Sequence, residues 1–191
     1  LVTNITLRNP ALLAKTATTV DIISDGRLIM GLGTGDRMSK NELPSYGYSF
    51  AGLIERVTRL RETILILKAM WTDEDTSFAD KYYRLSHAIN RPRSKQTPHP
   101  PIWIGGKHHK ILDIVAELAD GWNYWGLNKH QLAQRSRYLS ARCAALMRAP
   151  GQIVKSWSGT LSSLCRVESN RSGMFKKILT ELRNQSHPDT R

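Results

Sequence analysis

Residues 27–36 of this chain read Arg-Leu-Ile-Met-Gly-Leu-Gly-Thr-Gly-Asp, an apolar run that ends in closely spaced glycines. An almost continuous apolar run is typical of a strand that is buried on both faces, as the strands of parallel sheets are. Residues 102–107, Ile-Trp-Ile-Gly-Gly-Lys, show the same pattern. The sequence therefore predicts an α/β fold with a parallel sheet whose strands end in glycine-rich loops.

Helices and further strands alternate with these two strands along the chain. The clearest helix has apolar residues at alternating steps of four and three between Leu53 and Trp71, which places them on one face. This order of elements fits an open doubly wound sheet and also part of a (β/α) barrel. The predicted strands cover residues 1–5, 27–32, 102–104, 122–125 and 153–161, and the predicted helices cover residues 10–24, 53–71, 111–118 and 132–146.

The remaining segments are predicted to be loops or minor elements. We expect a long polar loop over residues 33–52, an acidic loop over 73–80, a small strand over 82–85 and a proline-rich connector over 92–101. The main domain is predicted to span residues 1–165. Residues 166–191 form a polar C-terminal segment with weak helical character within 174–183.

The charge balance favours an anionic partner. The chain has 28 Lys and Arg against 16 Asp and Glu, for a net charge of +12, which suits nucleic acid, a membrane surface or a phosphorylated ligand. No acidic residue occurs between Lys81 and Leu112, and this stretch surrounds the glycine pair at 105–106. The phosphorylated ligand is therefore favoured, because nucleic-acid binding rests on net charge alone and no recognised motif accompanies it.

The chain has the sequence features of a soluble cytoplasmic protein. No apolar run approaches the ~20 residues that a membrane span needs, and the N-terminus shows no signal-peptide pattern. Cys143 and Cys165 are too few for a disulfide framework and lack metal-ligand spacing. We expect both to be buried thiols in a reducing compartment.

The strongest ligand motif is Gly105-Gly106-Lys107. A strand that ends in two glycines and a lysine, just before a helix, presents backbone N–H groups and the positive end of a helix dipole to an anion. We therefore predict that Gly105, Gly106 and Lys107 bind a phosphate. The alternative is that the glycines only turn the chain and the basic residues form a solvated surface.

The loop after Leu32 is the second candidate ligand site. Its glycines look like a dinucleotide fingerprint, but Asp36 occupies the place of the third glycine and no helix is expected before residue 53, which argues against a Rossmann site. The glycines can bring the backbone close to a flat ligand, with Thr34 and Asp36 as polar groups and Asn41 or Glu42 further along. The alternative is a plain tight turn.

Other kinds of chemistry have little support in the sequence. His108 and His109 are adjacent and are expected to point in different directions, and no carboxylate partner is spaced to join them, so no metal site is predicted. No arrangement typical of covalent hydrolysis is present. The aromatic residues of the predicted strands are expected to be core residues without a chemical role; they are Trp103, Trp122, Tyr124 and Trp125.

Several motifs, taken in order, resemble the bacterial luciferase-like monooxygenase superfamily. They are residues 8–10 (Arg-Asn-Pro), 17–21 (Ala-Thr-Thr-Val-Asp), 24–27 (Ser-Asp-Gly-Arg), 31–36 (Gly-Leu-Gly-Thr-Gly-Asp), 100–106 (Pro-Pro-Ile-Trp-Ile-Gly-Gly) and 119–123 (Ala-Asp-Gly-Trp-Asn). Between them, the similarity continues in Arg56, Arg59-Leu60, Glu62, residues 67–72 and Tyr82-Tyr83. The resemblance covers about residues 2–127. It implies an incomplete (β/α)8 TIM barrel that runs from about the third strand, at residues 1–5, to the seventh, at 153–161.

The resemblance also implies an activity. The family uses reduced FMN or coenzyme F420, and Gly33-Thr34-Gly35-Asp36 with Asn41-Glu42 is more similar to the F420-dependent branch. This implies an oxidoreductase that transfers a hydride between coenzyme F420 and a small organic substrate, and a homodimer. The alternatives are an FMN-dependent luciferase-like monooxygenase and a non-catalytic truncated or dimerisation homologue.

The site residues that the resemblance implies lie in the two glycine-rich loops. Thr34, Gly35, Asp36 and Asn41 would contact the deazaflavin ring region, and Gly105 and Gly106 would hold the cofactor phosphate. Asp36 is the candidate general acid or base, although a carboxylate in this loop can equally bind the ring or cap the backbone. The aspartate and histidine that lie beside the substrate in the family are on strands that this chain does not contain.

Overall fold

The computed structural model describes residues 2–158. Three short 3-10 turns, Ile5–Leu7, Leu43–Tyr46 and Pro150–Gln152, join the main elements. In chain order, these elements are β1 (Thr3–Asn4), α1 (Pro10–Ile23), β2 (Met30–Gly33), α2 (Arg37–Glu42), α3 (Leu53–Thr72), β3 (Thr76–Ala79), β4 (Arg84–Ala88), β5 (Ile102–Gly105), α4 (His109–Leu118), β6 (Gly121–Trp125), α5 (Lys129–Ala145) and β7 (Val154–Ser158). The helix predicted over 174–183, the domain boundary after 165, and Cys165 lie outside the described residues.

Five strands form one parallel sheet in the order β1-β2-β5-β6-β7. Between each pair of neighbours the chain passes through a long helix: α1, α3, α4 and α5 in turn. The strands follow one another without a reversal, whereas a doubly wound sheet reverses its strand order where its two halves meet. The order is that of an incompletely closed (β/α) barrel, so the structure decides between the two architectures that the sequence allowed.

The two faces of this sheet carry different kinds of residue. Leu32, Ile104 and Trp122 align in register across β2, β5 and β6, and all three are fully buried in one core with Leu60 of α3 and Leu112 of α4. Because side chains alternate along a strand, the residues between them face the opposite side. That opposite side is the interior face of the barrel, and its residues include Gly31, Gly33, Trp103, Gly105, Gly121 and Asn123.

The helix predicted over 53–71 is confirmed, but the loop predicted over 33–52 is wrong. This segment contains α2 and a 3-10 turn at Leu43–Tyr46. Asp36 caps α2, because its Oδ1 accepts hydrogen bonds from the N–H groups of Met38 and Ser39 at 3.0 and 3.1 Å. A helix of six residues is too short to show an apolar period, so its capping residues were the only local indication of it.

The acidic loop predicted over 73–80 and the small strand predicted over 82–85 form an antiparallel hairpin, β3 and β4. Glu62 of α3 is 1% exposed, and its Oε2 accepts the N–H groups of Tyr82 and Tyr83, both at 3.0 Å. The prediction of a loop at 76–79 is therefore wrong: pairing with a partner strand outweighs the polar composition of this segment.

The proline-rich connector over 92–101 contains neither helix nor strand, as predicted. It is anchored to α1, because the buried Asp21 carboxylate accepts hydrogen bonds from the N–H and the side-chain amide of Gln96 at 3.0 and 2.7 Å. Cys143 is buried in α5, as predicted, and burial raises the pKa of its thiol. Within residues 2–158, no helix combines the length and the apolar character that crossing a membrane requires.

Candidate functional site

The two glycine-rich loops leave neighbouring strands at the same edge of the sheet. Leu32 of β2 pairs with Ile104 of β5, so the loop that begins at Thr34 and the loop that begins at Gly106 start side by side. In (β/α) barrels the carboxyl ends of the strands form the ligand-binding face. The structure thus brings together two groups of predicted site residues that lie about seventy positions apart in the sequence.

The loop after β2 is held by a residue that the sequence reasoning did not single out for the site. Arg56, in the first turns of α3, donates from Nη1 to the carbonyl oxygens of Thr34 and Gly35 at 3.1 and 2.8 Å. Its Nε donates to the carbonyl oxygen of Ala51 at 3.1 Å, and its guanidinium carbon lies 4.2 Å from the centre of the Phe50 ring. Burial lowers the pKa of Arg56. Arg56 therefore fixes the backbone of the predicted ring-binding loop.

The side chains of this loop differ in how accessible they are. Thr34 is 8% exposed, whereas Asp36 and Asn41 are exposed. Asp36 uses Oδ1 to cap α2 and to contact the Ser39 hydroxyl at 3.3 Å, and Oδ2 has no hydrogen bond within the described part of the chain. One carboxylate oxygen is thus engaged in the cap. The prediction that no helix begins before residue 53 is wrong, since α2 begins at Arg37, so only the aspartate at the place of the third glycine still speaks against a dinucleotide site.

The backbone of Gly106 is occupied by the neighbouring strand. Its N–H donates to the carbonyl oxygen of Asn123 at 3.2 Å, and its carbonyl oxygen accepts from the Trp122 indole N–H at 2.7 Å. Its φ of +143° is one that L residues rarely adopt, and an added Cβ would lie 3.2 Å from the Ile111 side chain. Gly106 therefore makes a turn that only glycine accommodates well, and its own N–H is not available to an anion.

Gly105 has a packing reason for being glycine. A Cβ added there would lie 2.9 Å from a methyl group of Val2, and a Cβ added at Gly33 would lie at the same distance from the other methyl group. Val2 thus covers both glycines on the interior face of the sheet. Small residues at these two positions allow the chain of β1 to approach β2 and β5.

The start of α4 has N–H groups and cations that could bind an anion, whereas the N–H of Gly106 is already bonded. The N–H groups of Lys107, His108 and His109 have no acceptor within residues 2–158, and the Lys107 side chain is exposed. His108 caps the helix, because its Nδ1 accepts the N–H of Lys110 at 3.2 Å. Burial, followed by the nearby His109, Lys110 and Arg135, lowers the pKa of His108. These donors and cations fit an anionic group.

The two histidines at this helix start do not point in different directions. Their rings stack, with centroids 4.2 Å apart and an angle of 31° between the planes, so that prediction is wrong. Within residues 2–158, no group of three or more His, Cys, Asp or Glu side chains is arranged to hold a metal ion.

Three further features lie near this edge or outside it. Asn123 is 7% exposed on the interior face, and its amide donates to the Ser156 hydroxyl at 3.2 Å, which ties β6 to β7. Trp125, at the end of β6, is exposed. A groove of about 290 Å³ between α3 and α4, lined by Ile54, Ile114 and others, contains none of the predicted site residues.

Comparisons with known proteins agree with this fold. A model of the luciferase-like monooxygenase family matches residues 2–164. The F420-dependent glucose-6-phosphate dehydrogenase of Amycolatopsis mediterranei is 31% identical over 114 residues, which are 60% of this chain and 33% of that protein. The FMNH(2)-dependent dimethylsulfone monooxygenase of Pseudomonas putida is 32% identical over 112 residues, which are 59% of this chain and 30% of that protein.

A solved structure gives the same architecture. The coenzyme F420 dependent tetrahydromethanopterin reductase from Methanopyrus kandleri superposes with a TM-score of 0.73 and 22% identity, over 82% of this chain and 47% of the reductase. The chain spans about a third of the length of the curated relatives that it matches, and about half of this solved structure.

Proposed function

Because the chain belongs to the luciferase-like monooxygenase family, we propose that it forms part of an oxidoreductase that transfers a hydride between coenzyme F420 and a small organic substrate. The observation that carries the proposal is the pairing of β2 with β5, which puts the loop at 34–36 and the start of α4 on one edge. A ligand with a flat ring at one end and a phosphate at the other suits these two neighbouring surfaces.

The phosphate end of the ligand is assigned to the start of α4. Lys107 supplies an exposed cation and its N–H, and the N–H groups of His108 and His109 follow at the positive end of the helix dipole. Gly105 and Gly106 shape this corner, while the N–H of Gly106 itself is bonded to Asn123. The anion site therefore lies one to three residues beyond the glycine pair.

The ring end is assigned to the loop after β2. Thr34, Gly35 and Asn41 contact the ring region in this proposal, and Arg56 holds the loop backbone in place through two carbonyl oxygens. When bound, the cofactor supplies the hydride chemistry at its central ring. Asp36 is proposed as the general acid or base, through the carboxylate oxygen that does not cap α2.

An FMN-dependent monooxygenase is the second candidate. It is supported by the dimethylsulfone monooxygenase of Pseudomonas putida, whose 32% identity is similar to the 31% of the F420-dependent dehydrogenase. We also propose a homodimer, as the family resemblance implies, and a cytoplasmic location, which the expectation of two unpaired thiols supports. The third candidate, a non-catalytic homologue, predicts that neither cofactor binds.

The test is a titration of the purified chain with coenzyme F420 and, separately, with FMN, followed by cofactor fluorescence. Lys107→Glu reverses a charge at the proposed anion site, and Lys15→Glu makes the same change on the exposed side of α1. We expect one cofactor to bind, Lys107→Glu to weaken it at least about tenfold because a charge-assisted contact is lost, and Lys15→Glu to have little effect. Absence of binding to either cofactor would overturn the proposal and favour the non-catalytic homologue.

A further inference from the structure

The interior face of β6 ends in an exposed tryptophan. Trp125 is the last residue of this strand and is 73% exposed. Its neighbour Tyr124 is 6% exposed on the helix-covered face, with its ring centre 4.5 Å from that of Trp122. Since side chains alternate along a strand, Trp125 shares the interior face with Asn123 and Gly121.

The position of Trp125 relative to the anion corner follows from the strand pairing. Gly105 of β5 pairs with Asn123 of β6, and the N–H of Gly106 bonds to the Asn123 carbonyl oxygen at 3.2 Å. Trp125 lies two residues further along β6, which is about 7 Å toward the open edge at the usual rise of a strand. Its backbone is therefore level with the residues that follow Gly106.

The interior face below Trp125 is already filled. Asn123 is bonded to Ser156, and Trp103, two residues before Gly105, is 7% exposed. A Cβ on Gly121 would lie only 2.5 Å from the Trp103 ring, so this indole lies against β6 at Gly121. Trp103 therefore belongs to the floor of the interior face, and Trp125 is the tryptophan at its rim.

Other large apolar side chains besides Trp125 are exposed at this edge of the sheet. The segment that follows β2 exposes Met38, Tyr46 and Tyr48 by 77%, 57% and 43%. Apolar and aromatic surface at a ligand-binding edge is the usual lining of a small-molecule site, and an indole offers a flat face for offset stacking on another ring.

We propose that Trp125 is a ligand-contact residue whose indole stacks on the tricyclic ring of the bound cofactor. The sequence predicts that Trp125 is a core residue, because tryptophans in strands usually are. The proposal gives it a binding role instead. The inference rests on the proposed function, and it makes a separate prediction: Trp125 recognises the ring, whereas Lys107 recognises the phosphate.

The experiment uses each cofactor beside its ring fragment without phosphate, which is riboflavin for FMN and the phosphate-free deazaflavin for F420. Dissociation constants are measured by fluorescence for the wild-type chain, Trp125→Ala, Trp125→Phe and Lys107→Glu. Ile23→Ala is the control, because Ile23 is 79% exposed at the end of α1. This helix leads into the amino end of β2, whereas the glycine-rich loops follow the carboxyl ends of β2 and β5. Far-UV circular dichroism checks that each variant is folded.

We expect Trp125→Ala to weaken binding of the cofactor and of its ring fragment by about tenfold, as loss of a stacked ring pair does. Trp125→Phe keeps an aromatic face and should stay within about threefold of wild type. Lys107→Glu should weaken binding of the cofactor but not binding of the ring fragment. Equal binding by wild type and Trp125→Ala would overturn the role of Trp125 alone, while no binding by the wild-type chain would overturn both this role and the proposed function.

Discussion

Replacing Arg56 by Ala is expected to loosen the loop after β2 and to lower the stability of the protein. The guanidinium makes three hydrogen bonds to backbone carbonyl oxygens, those of Thr34, Gly35 and Ala51, and it also lies over the ring of Phe50. No other side chain bonds to the carbonyl oxygens of Thr34 and Gly35 within residues 2–158. Without the Arg56 side chain, the loop after β2 would therefore lose its fixed conformation.

The size of the effect follows from these contacts and their partial exposure. A hydrogen bond to a charged group contributes roughly 1.5–3 kcal/mol, and a cation over an aromatic ring adds about 0.5–1 kcal/mol at an exposed site. The full sum is not expected, because water can reach the freed carbonyl oxygens. In addition, the partial burial that lowers the pKa of Arg56 opposes the charged form, because a charge loses hydration when it is buried. We expect a net loss of about 2–3 kcal/mol.

The assay is urea unfolding followed by circular dichroism, beside cofactor titration. Arg56→Lys keeps the charge but not the planar fork, so it should lose at least half as much stability as Arg56→Ala. Arg61→Ala is the control, since Arg61 makes one surface ion pair with Glu117 and such pairs contribute about 0–1 kcal/mol. The reasoning would be refuted if Arg56→Ala unfolded within about 0.5 kcal/mol of wild type, or if Lys replaced Arg without loss.

Three further changes test individual contacts. Burial and nearby basic groups lower the pKa of His108. As the pH falls through the range in which an ordinary histidine titrates, the unfolded chain therefore takes up a proton before the folded chain does, and stability falls. In His108→Asn, which keeps a cap that does not titrate, the urea midpoint should drop less between pH 7.5 and about pH 5.5. Glu62→Ala should destabilise by about 2–4 kcal/mol because the part-buried N–H groups of Tyr82 and Tyr83 lose their acceptor. Glu62→Gln should cost less in the same urea assay because its amide oxygen still accepts. Gly121→Ala should cost about 3 kcal/mol through its clash with the Trp103 indole, whereas Gly151→Ala, with no atom within 4 Å, should change the midpoint little; equal midpoints for the two would contradict the packing described.

The elements that could be predicted from the sequence are those with long or continuous apolar patterns. The helix at Leu53–Thr72 shows its buried face through five and a half turns, and the strand at Ile102–Gly105 is apolar on both faces. The helix at Arg37–Glu42 has too few residues for a period, and the hairpin strands at Thr76–Ala79 and Arg84–Ala88 are polar and partly exposed. Their structure depends on caps and on a partner strand, which a local pattern does not contain.

The position of the candidate site could be predicted from the sequence, but the individual groups that are free to bind a ligand could not. Glycines after apolar strands indicated both loops, and the parallel order of the strands placed them at one edge. The sequence does not say which backbone groups are free, and the N–H of Gly106 proves to be bonded to Asn123. Arg56 belongs to the residues that carry the family resemblance, but its role at the site was missed because its bonds to Thr34 and Gly35 span more than twenty positions.

The glycines of this family pattern reflect the interior packing of the barrel at least as much as ligand binding. Positions 33 and 105 have no room for a side chain because Val2 lies over both glycines. Position 121 has none because the Trp103 ring lies against Gly121. A bulky or charged substitution at Gly105 would therefore disturb the sheet whether or not a phosphate binds beside it, and lost binding in such a variant would not identify the anion site. Lys107 is exposed and has no packing role, so a charge reversal there separates recognition of the phosphate from integrity of the fold.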